Sequence, residues 1–163
     1  MDIVVREYTA QDLPGMMAIW NEIVQDGIAF PQTERLSEEE AIALFLEQSF
    51  TAVAENRDTG EILGLYLLHP NNVGRCGHIA NASYGVISHA RGLKIGEKLV
   101  VHSIEKSREL GFRLIQFNAV VRTNLSALHL YEKLGFVRLG TIPGGFLMKD
   151  GYFEDIVLFY FVL

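Results

Sequence analysis

Ser88-His89-Ala90-Arg91-Gly92-Leu93-Lys94-Ile95-Gly96-Glu97-Lys98-Leu99 joins an apolar, strand-like run to the start of a helical pattern. Two glycines bracket a basic turn. A strand that runs through such a turn into a helix leaves backbone N–H groups free and aims the positive end of the helix dipole at the same spot, an arrangement that suits a phosphate. Gly-bearing strand-to-helix turns are common and most bind nothing, so the meaning of this one depends on its surroundings.

Upstream, Ile3–Tyr8 reads as a strand. Thr9 offers an N-cap with Asp12 at the capping-box position, and Leu13, Met16, Met17, Trp20, Ile23 and Val24 follow at helical spacing over roughly 11–25. Asp26-Gly27 ends that helix. Ser37-Glu38-Glu39-Glu40 opens a second helix through about Gln48. Thr51–Glu55 and Ile62–Leu68 are strands joined by the turn residues Asn56-Arg57-Asp58-Thr59-Gly60, and His78–Ile87 is a third run leading into the basic turn.

Downstream, Ile95, Leu99, Val100, Ile104 and Leu110 mark a helix that stops at Gly111. Leu114–Val121 is a strand, Asn124–Leu134 a short helix closed by Gly135, and Phe136–Ile142 a strand. A Gly-rich loop, Pro143-Gly144-Gly145, precedes a final strand Ile156–Leu163. The order β-α-α-β-β-β-α-β-α-β-β predicts one α+β domain over residues 1–163, with a mixed, largely antiparallel sheet of about seven strands flanked by about four helices. The final strand is too apolar for a bare edge. It is expected to be sandwiched in the sheet or paired with a second copy, which suggests a homodimer.

Composition narrows the function classes. Of 163 residues, 14 are Lys or Arg and 20 Asp or Glu, a formal charge of −6, which argues against a nucleic-acid partner. No apolar run approaches the roughly 18 residues of a membrane helix, and Met1–Arg6 lack the features of a signal peptide. The single cysteine, Cys76, cannot form an internal disulfide and reads as a bystander thiol, which fits a reducing, cytoplasmic setting.

The second informative stretch is Thr123-Asn124-Leu125-Ser126-Ala127-Leu128-His129-Leu130-Tyr131-Glu132-Lys133-Leu134-Gly135-Phe136. Asn124 can cap the helix, and Ala127 and Tyr131, four apart, share a face. A small residue one turn before a tyrosine leaves room for a slender ligand beneath the hydroxyl. Read alone, the stretch is better taken as an ordinary short helix with a core Tyr and a Gly C-cap.

A phosphate turn, a helix, a strand and then Asn-x-x-Ala-x-x-x-Tyr-x-x-x-Gly-Phe is the layout of the GCN5-related N-acetyltransferase superfamily, which this chain resembles over nearly its whole length. The superfamily's turn motif, Arg/Gln-x-x-Gly-x-Gly/Ala, is matched at Arg91 and Gly96, with Lys94 in place of the middle glycine. Lys94 can serve if its φ stays negative, and it adds a cation; weaker cofactor binding is the competing consequence.

The resemblance implies acetyl-CoA as cofactor, no metal, and direct attack of an amine within a ternary complex. It implies that the strand ending Tyr84-Gly85-Val86-Ile87 splays from Leu114–Val121, so that pantetheine pairs with Val86 and Ile87 and an exposed N–H polarises the thioester carbonyl. The amides of Arg91, Gly92, Leu93, Lys94, Ile95 and Gly96, with the helix start at Glu97 and Lys98, would hold the pyrophosphate. Asn124 and Ala127 would flank the pantetheine arm, and Tyr131 would protonate the departing thiolate. Glu22 is a candidate base, directly or through water. His78 and His129 are alternatives, and an ordered water chain is the leading reading for the base.

On the acceptor side, Trp20-Asn21-Glu22-Ile23-Val24 and Gly27-Ile28-Ala29-Phe30 resemble phosphinothricin-type acetyltransferases, whereas His78–Tyr84 and Gln116-Phe117-Asn118 resemble the branch acting on proline analogues. Glu22, Phe30, Asn81, Tyr84 and Asn118 are the implied acceptor contacts, with Phe146 and Tyr152 in a mobile wall. Cross-strand hydrogen bonds are the plain alternative for both asparagines. A small amine, an amino acid or an analogue, is the implied acceptor. Acetylation of a protein N-terminus or lysine, or a non-catalytic acyl-CoA sensor, are the competing readings.

Overall fold

A computed structural model describes residues 1–163. Seven strands form one sheet: β1 (Ile3–Glu7), β2 (Phe50–Asn56), β3 (Glu61–Pro70), β4 (Ile79–Val86), β5 (Leu114–Val121), β6 (Val137–Leu147) and β7 (Phe153–Val162). The helices are α1 (Leu13–Asp26), α2 (Glu38–Leu46), α3 (Ile95–Glu109) and α4 (Leu125–Lys133). In space the strands run β1-β2-β3-β4-β5-β7-β6, and every neighbouring pair is antiparallel except β4 and β5. That pair is parallel because α3 carries the chain from the end of one strand back to the start of the next. No helix is long and apolar enough to cross a membrane.

The sheet is buried on both faces, so β2 and β3 are apolar at successive positions. Leu65 and Leu67 face Met16, Ile19, Trp20 and Phe45 of α1 and α2. Tyr66 and Leu68 face Ile95, Leu99 and Ile104 of α3 and Leu128 and Tyr131 of α4. The helix ends follow their local chemistry. Ser37 Oγ accepts from Glu40 N (3.2 Å) while Glu40 Oε2 accepts from Ser37 N (2.9 Å), and Gly27 closes α1 at φ 64°. Lys149 Cβ would stand 2.7 Å from a Cβ at Gly27, and Lys149 N donates to Gly27 O at 3.0 Å. The turn between β6 and β7 is thereby docked on the end of α1.

Two expectations change here. Pro143-Gly144-Gly145 is part of β6, carried through a register shift between Ile142 and Phe146 against β7. A turn-like composition is absorbed by an irregular strand. In addition, β7 lies between β5 and β6. The apolar final strand is covered within the chain, and the reason for expecting a second copy against it falls away.

Candidate active site

The site begins where β4 and β5 part. They pair only at Ile79–Leu114 and Ala80–Ile115, with Arg113 N donating to His78 O (2.9 Å) at the closed end. Backbone groups alternate along a strand, and Asn71 N to Ile79 O (2.7 Å) and Ile87 N to Leu63 O (2.9 Å) show that the odd-numbered residues of β4 bond β3. The even-numbered ones face β5. Ala82 N is taken by Asn81 Oδ1 at 2.8 Å, which leaves the edges of Tyr84 and Val86 turned into the opening. Ile87, expected beside Val86, is spent: its N–H goes to Leu63, and its carbonyl accepts from Ala90 N at 3.0 Å.

Beyond Ile87 the chain makes the basic turn. Lys94 caps α3 at φ 60°, the only positive φ outside glycine, so the negative φ on which its fitness for the turn depends is not met. Lys94 adopts the conformation a glycine would take there, at a cost of about 1–2 kcal/mol of backbone strain. The N–H groups of Gly92, Leu93, Lys94, Ile95, Gly96 and Glu97 have no acceptor in the protein. Six free donors in succession at a helix start, with Arg91, Lys94 and Lys98 exposed around them, form an anion cradle. Glu97 joins Lys133 of α4 at 2.8 Å.

Glu22 supports that turn from behind. Its Oε1 accepts from Ser88 N (2.8 Å), its Oε2 accepts from Ser88 Oγ (3.1 Å), and Arg91 Nη2 stands 3.9 Å from Glu22 Oε1 and 3.7 Å from Asp26 Oδ2. Glu22 is not among the residues that line the cavity described next, and its two carboxylate oxygens are bonded to Ser88.

The opening between the strands holds a cavity of about 260 Å3. Asn124, Ala127 and Tyr131 line it from α4, Asn81 and Tyr84 from β4, Asn118 from β5, and Phe30 from the loop after α1. Tyr131 is buried among Phe117, Phe136 and Phe159, with ring centroids 4.5, 5.6 and 5.7 Å away, and burial pushes its phenol well above the ordinary tyrosine range. Asn124 caps α4, its Oδ1 accepting from Ala127 N at 3.3 Å.

The acceptor-side residues are placed unevenly. Tyr84 turns its hydroxyl to Ser103 Oγ of α3 (2.7 Å), so only its ring and backbone meet the cavity. Asn118 Nδ2 donates to Asn71 Oδ1 (2.6 Å) and its Oδ1 accepts from Gln116 Nε2 (3.0 Å), a side-chain ladder at a register shift of β5. Phe146 packs with Val121, Met148 and Ile156 in a small cluster, and Tyr152 is exposed; neither lines the cavity. His78 and His129 are exposed outside it. Sequence reasoning missed Ser83 and the Ala119–Val121 segment as lining, although the alternation of β4 and the splay signalled both.

Comparison with known proteins gives a consistent picture. The chain is 33% identical over 101 residues to N-acetyltransferase aca1 of Schizosaccharomyces pombe, covering 61% of this chain and 48% of that protein, so it spans about half the length of that relative. A GCN5-related N-acetyltransferase from Kribbella flavida superposes with a TM-score of 0.91 at 34% identity, covering 99% of this chain and 98% of that one. The fold is shared too with a phosphinothricin acetyltransferase from Sinorhizobium meliloti in complex with AcCoA (TM-score 0.92, 23% identity, 100% of this chain and 89% of that one). The family model of the acetyltransferase (GNAT) family matches residues 16–136. With its splayed β4 and β5 and its anion cradle at the start of α3, this chain belongs to the acetyltransferase (GNAT) family.

Proposed function

We propose that this chain transfers the acetyl group of acetyl-CoA to the amine of a small molecule, an amino acid or an analogue of one, in a ternary complex. One observation carries the reading: a single cavity of about 260 Å3 brings Asn124, Ala127 and Tyr131 together with Phe30 and Asn81 at the opening of the splay. A volume just below that of drug-sized ligand sites fits a small acceptor.

The residues fit the cofactor. Six free amides from Gly92 to Glu97 and the cations Arg91, Lys94 and Lys98 would hold a pyrophosphate. The open edges of Tyr84 and Val86 would pair with the amides of a pantetheine arm as a further strand would. Acetyl-CoA, when bound, supplies an acetyl group activated as a thioester. The Tyr84 N–H, whose residue's ring lies 6.3 Å from that of Tyr131 between centroids, would be a donor for the carbonyl oxygen where charge develops. Tyr131 Oη keeps its proton at neutral pH and would deliver it toward the departing sulfur.

Calorimetry with acetyl-CoA, followed by a thiol-release assay over small amines, tests the reading. Micromolar binding with turnover on small amines supports it. Binding without turnover would favour the sensor, and turnover only on peptides would favour a protein acceptor.

A further inference from the structure

The cavity between β4 and β5 is lined by no charged side chain. Its lining holds two tyrosines, Tyr84, whose hydroxyl is bonded to Ser103, and Tyr131, and burial holds both phenols protonated at neutral pH. The charged groups on the surrounding elements are committed elsewhere. On α1, Glu22 holds Ser88, and Asp26 stands beside Arg91. After β5, Arg122 Nε binds Glu154 Oε1 at 3.1 Å, with Asp155 Oδ2 at 3.8 Å. Glu34 and Arg35 of the loop after α1, His78 before β4, His129 of α4, and Lys149 and Asp150 of the β6–β7 turn are exposed and outside the lining.

An ammonium group entering this space would lose its water without gaining a counter-charge, and nothing inside would accept its proton. A carboxylate on the acceptor would find amide donors such as Asn81 but no cation in the lining. We infer that the acceptors are weakly basic amines with no charge elsewhere, such as the α-amine of a carboxyl-blocked amino acid or an arylamine, which enter as the neutral free base. Lysine-like amines and polyamines are poor acceptors, and among amino acids and their analogues the carboxyl-blocked ones are favoured over the free acids. This inference rests on the acetyl-transfer reading.

The atoms balance without an enzyme carboxylate. The nitrogen lone pair forms the N–C bond, the C–S bond breaks, and sulfur leaves with the electron pair and takes the Tyr131 proton. The surplus N–H proton passes to water, and the Tyr131 phenolate regains one from solvent. The net change is amine plus thioester to amide plus thiol.

The test is kcat/KM for phenylalaninamide, phenethylamine and free phenylalanine between pH 6 and 9.5, read by thiol release. A blocked α-amine titrates near 8 and an alkylamine near 10.4, so their free-base fractions at pH 7 differ by roughly 250-fold. The inference predicts a preference for phenylalaninamide of at least about 100-fold at pH 7 over both other amines. It also predicts a tenfold rise per pH unit that bends at the acceptor's own pKa. A bend at one fixed pH whichever amine is used, or comparable use of free phenylalanine, overturns the inference but not acetyl transfer. Acetyl-CoA binding with no amine acetylated would overturn acetyl transfer itself.

Discussion

Glu22 Oε1 accepts a hydrogen bond from the backbone N–H of Ser88 at 2.8 Å, which ties α1 to the turn that opens α3. The same carboxylate takes Ser88 Oγ at 3.1 Å. The residue considered as a base from the sequence is thus bonded to the turn that carries the free amides. Hydrogen bonds to a charged group are worth about 1.5–3 kcal/mol when buried, and less at this partly exposed site. Glu22→Ala is expected to raise the calorimetric Kd for acetyl-CoA about tenfold. The pH dependence of kcat should be unchanged, since the carboxylate carries no proton in the reaction. Loss of an acidic limb from the pH profile would restore Glu22 to the role of base.

Lys94 offers a separable effect. Lys94→Gly relieves the positive-φ strain but adds freedom to the unfolded chain, so the net gain is about 0.5 kcal/mol and the Tm should rise by about 1–2 °C. Removing the cation should weaken acetyl-CoA binding by about threefold. Lys94→Ala keeps the strain and loses the charge, so it should lose affinity without gaining in Tm. Thermal scans and calorimetry on both variants decide the matter.

Much of this was legible beforehand, for particular reasons. The helices declared themselves by caps and by 3.6-residue spacing, as at Ser37–Glu40 and Ile95–Ile104. The cluster of Asn124, Ala127 and Tyr131 followed from helix geometry, and a strand as apolar as Phe153–Val162 had to be covered. What stayed hidden depends on orientation across the sheet. Whether Ile87 or Tyr84 faces the opening is a matter of one-residue alternation set by the β3 register. Glu22 met Ser88, and Asn118 met Asn71, across 66 and 47 residues of chain, contacts no local pattern announces. A positive φ at a lysine likewise runs against its intrinsic preference and is imposed by the turn.

Tyr131→Phe removes one hydroxyl and leaves the ring packed against Phe117 and Phe159. The Tm should change by less than about 2 °C, while kcat falls about 100-fold or more with KM for acetyl-CoA nearly constant. Burial raises this phenol, so the acid form is complete at neutral pH and is lost only as pH rises beyond the ordinary tyrosine range. The wild-type profile should therefore show no falling limb from Tyr131 below about pH 10. An unchanged kcat in Tyr131→Phe would remove Tyr131 from the chemistry.

Asp12 governs stability in acid. Arg6 Nη1 and Nη2 donate to its carboxylate at 2.8 and 2.9 Å, Thr9 N donates at 2.7 Å, and these bonds, Arg6 first, hold its pKa below the usual carboxylate range. A depressed folded-state pKa gives stability that is present above about pH 4 and lost as pH falls below it. Asp12→Ala leaves the Arg6 guanidinium paired only with Glu55 and should cost about 2–3 kcal/mol at pH 7. The difference from wild type should shrink in urea melts below pH 4.

The most direct measurement is amide-resolved hydrogen exchange with and without acetyl-CoA. The amides of Gly92–Glu97 have no acceptor in the protein and should exchange rapidly alone. Saturating acetyl-CoA should protect several of them at least tenfold, together with the amide of Tyr84 or Val86. Binding that protects none of these amides, or protects a different face of the sheet, would contradict the account.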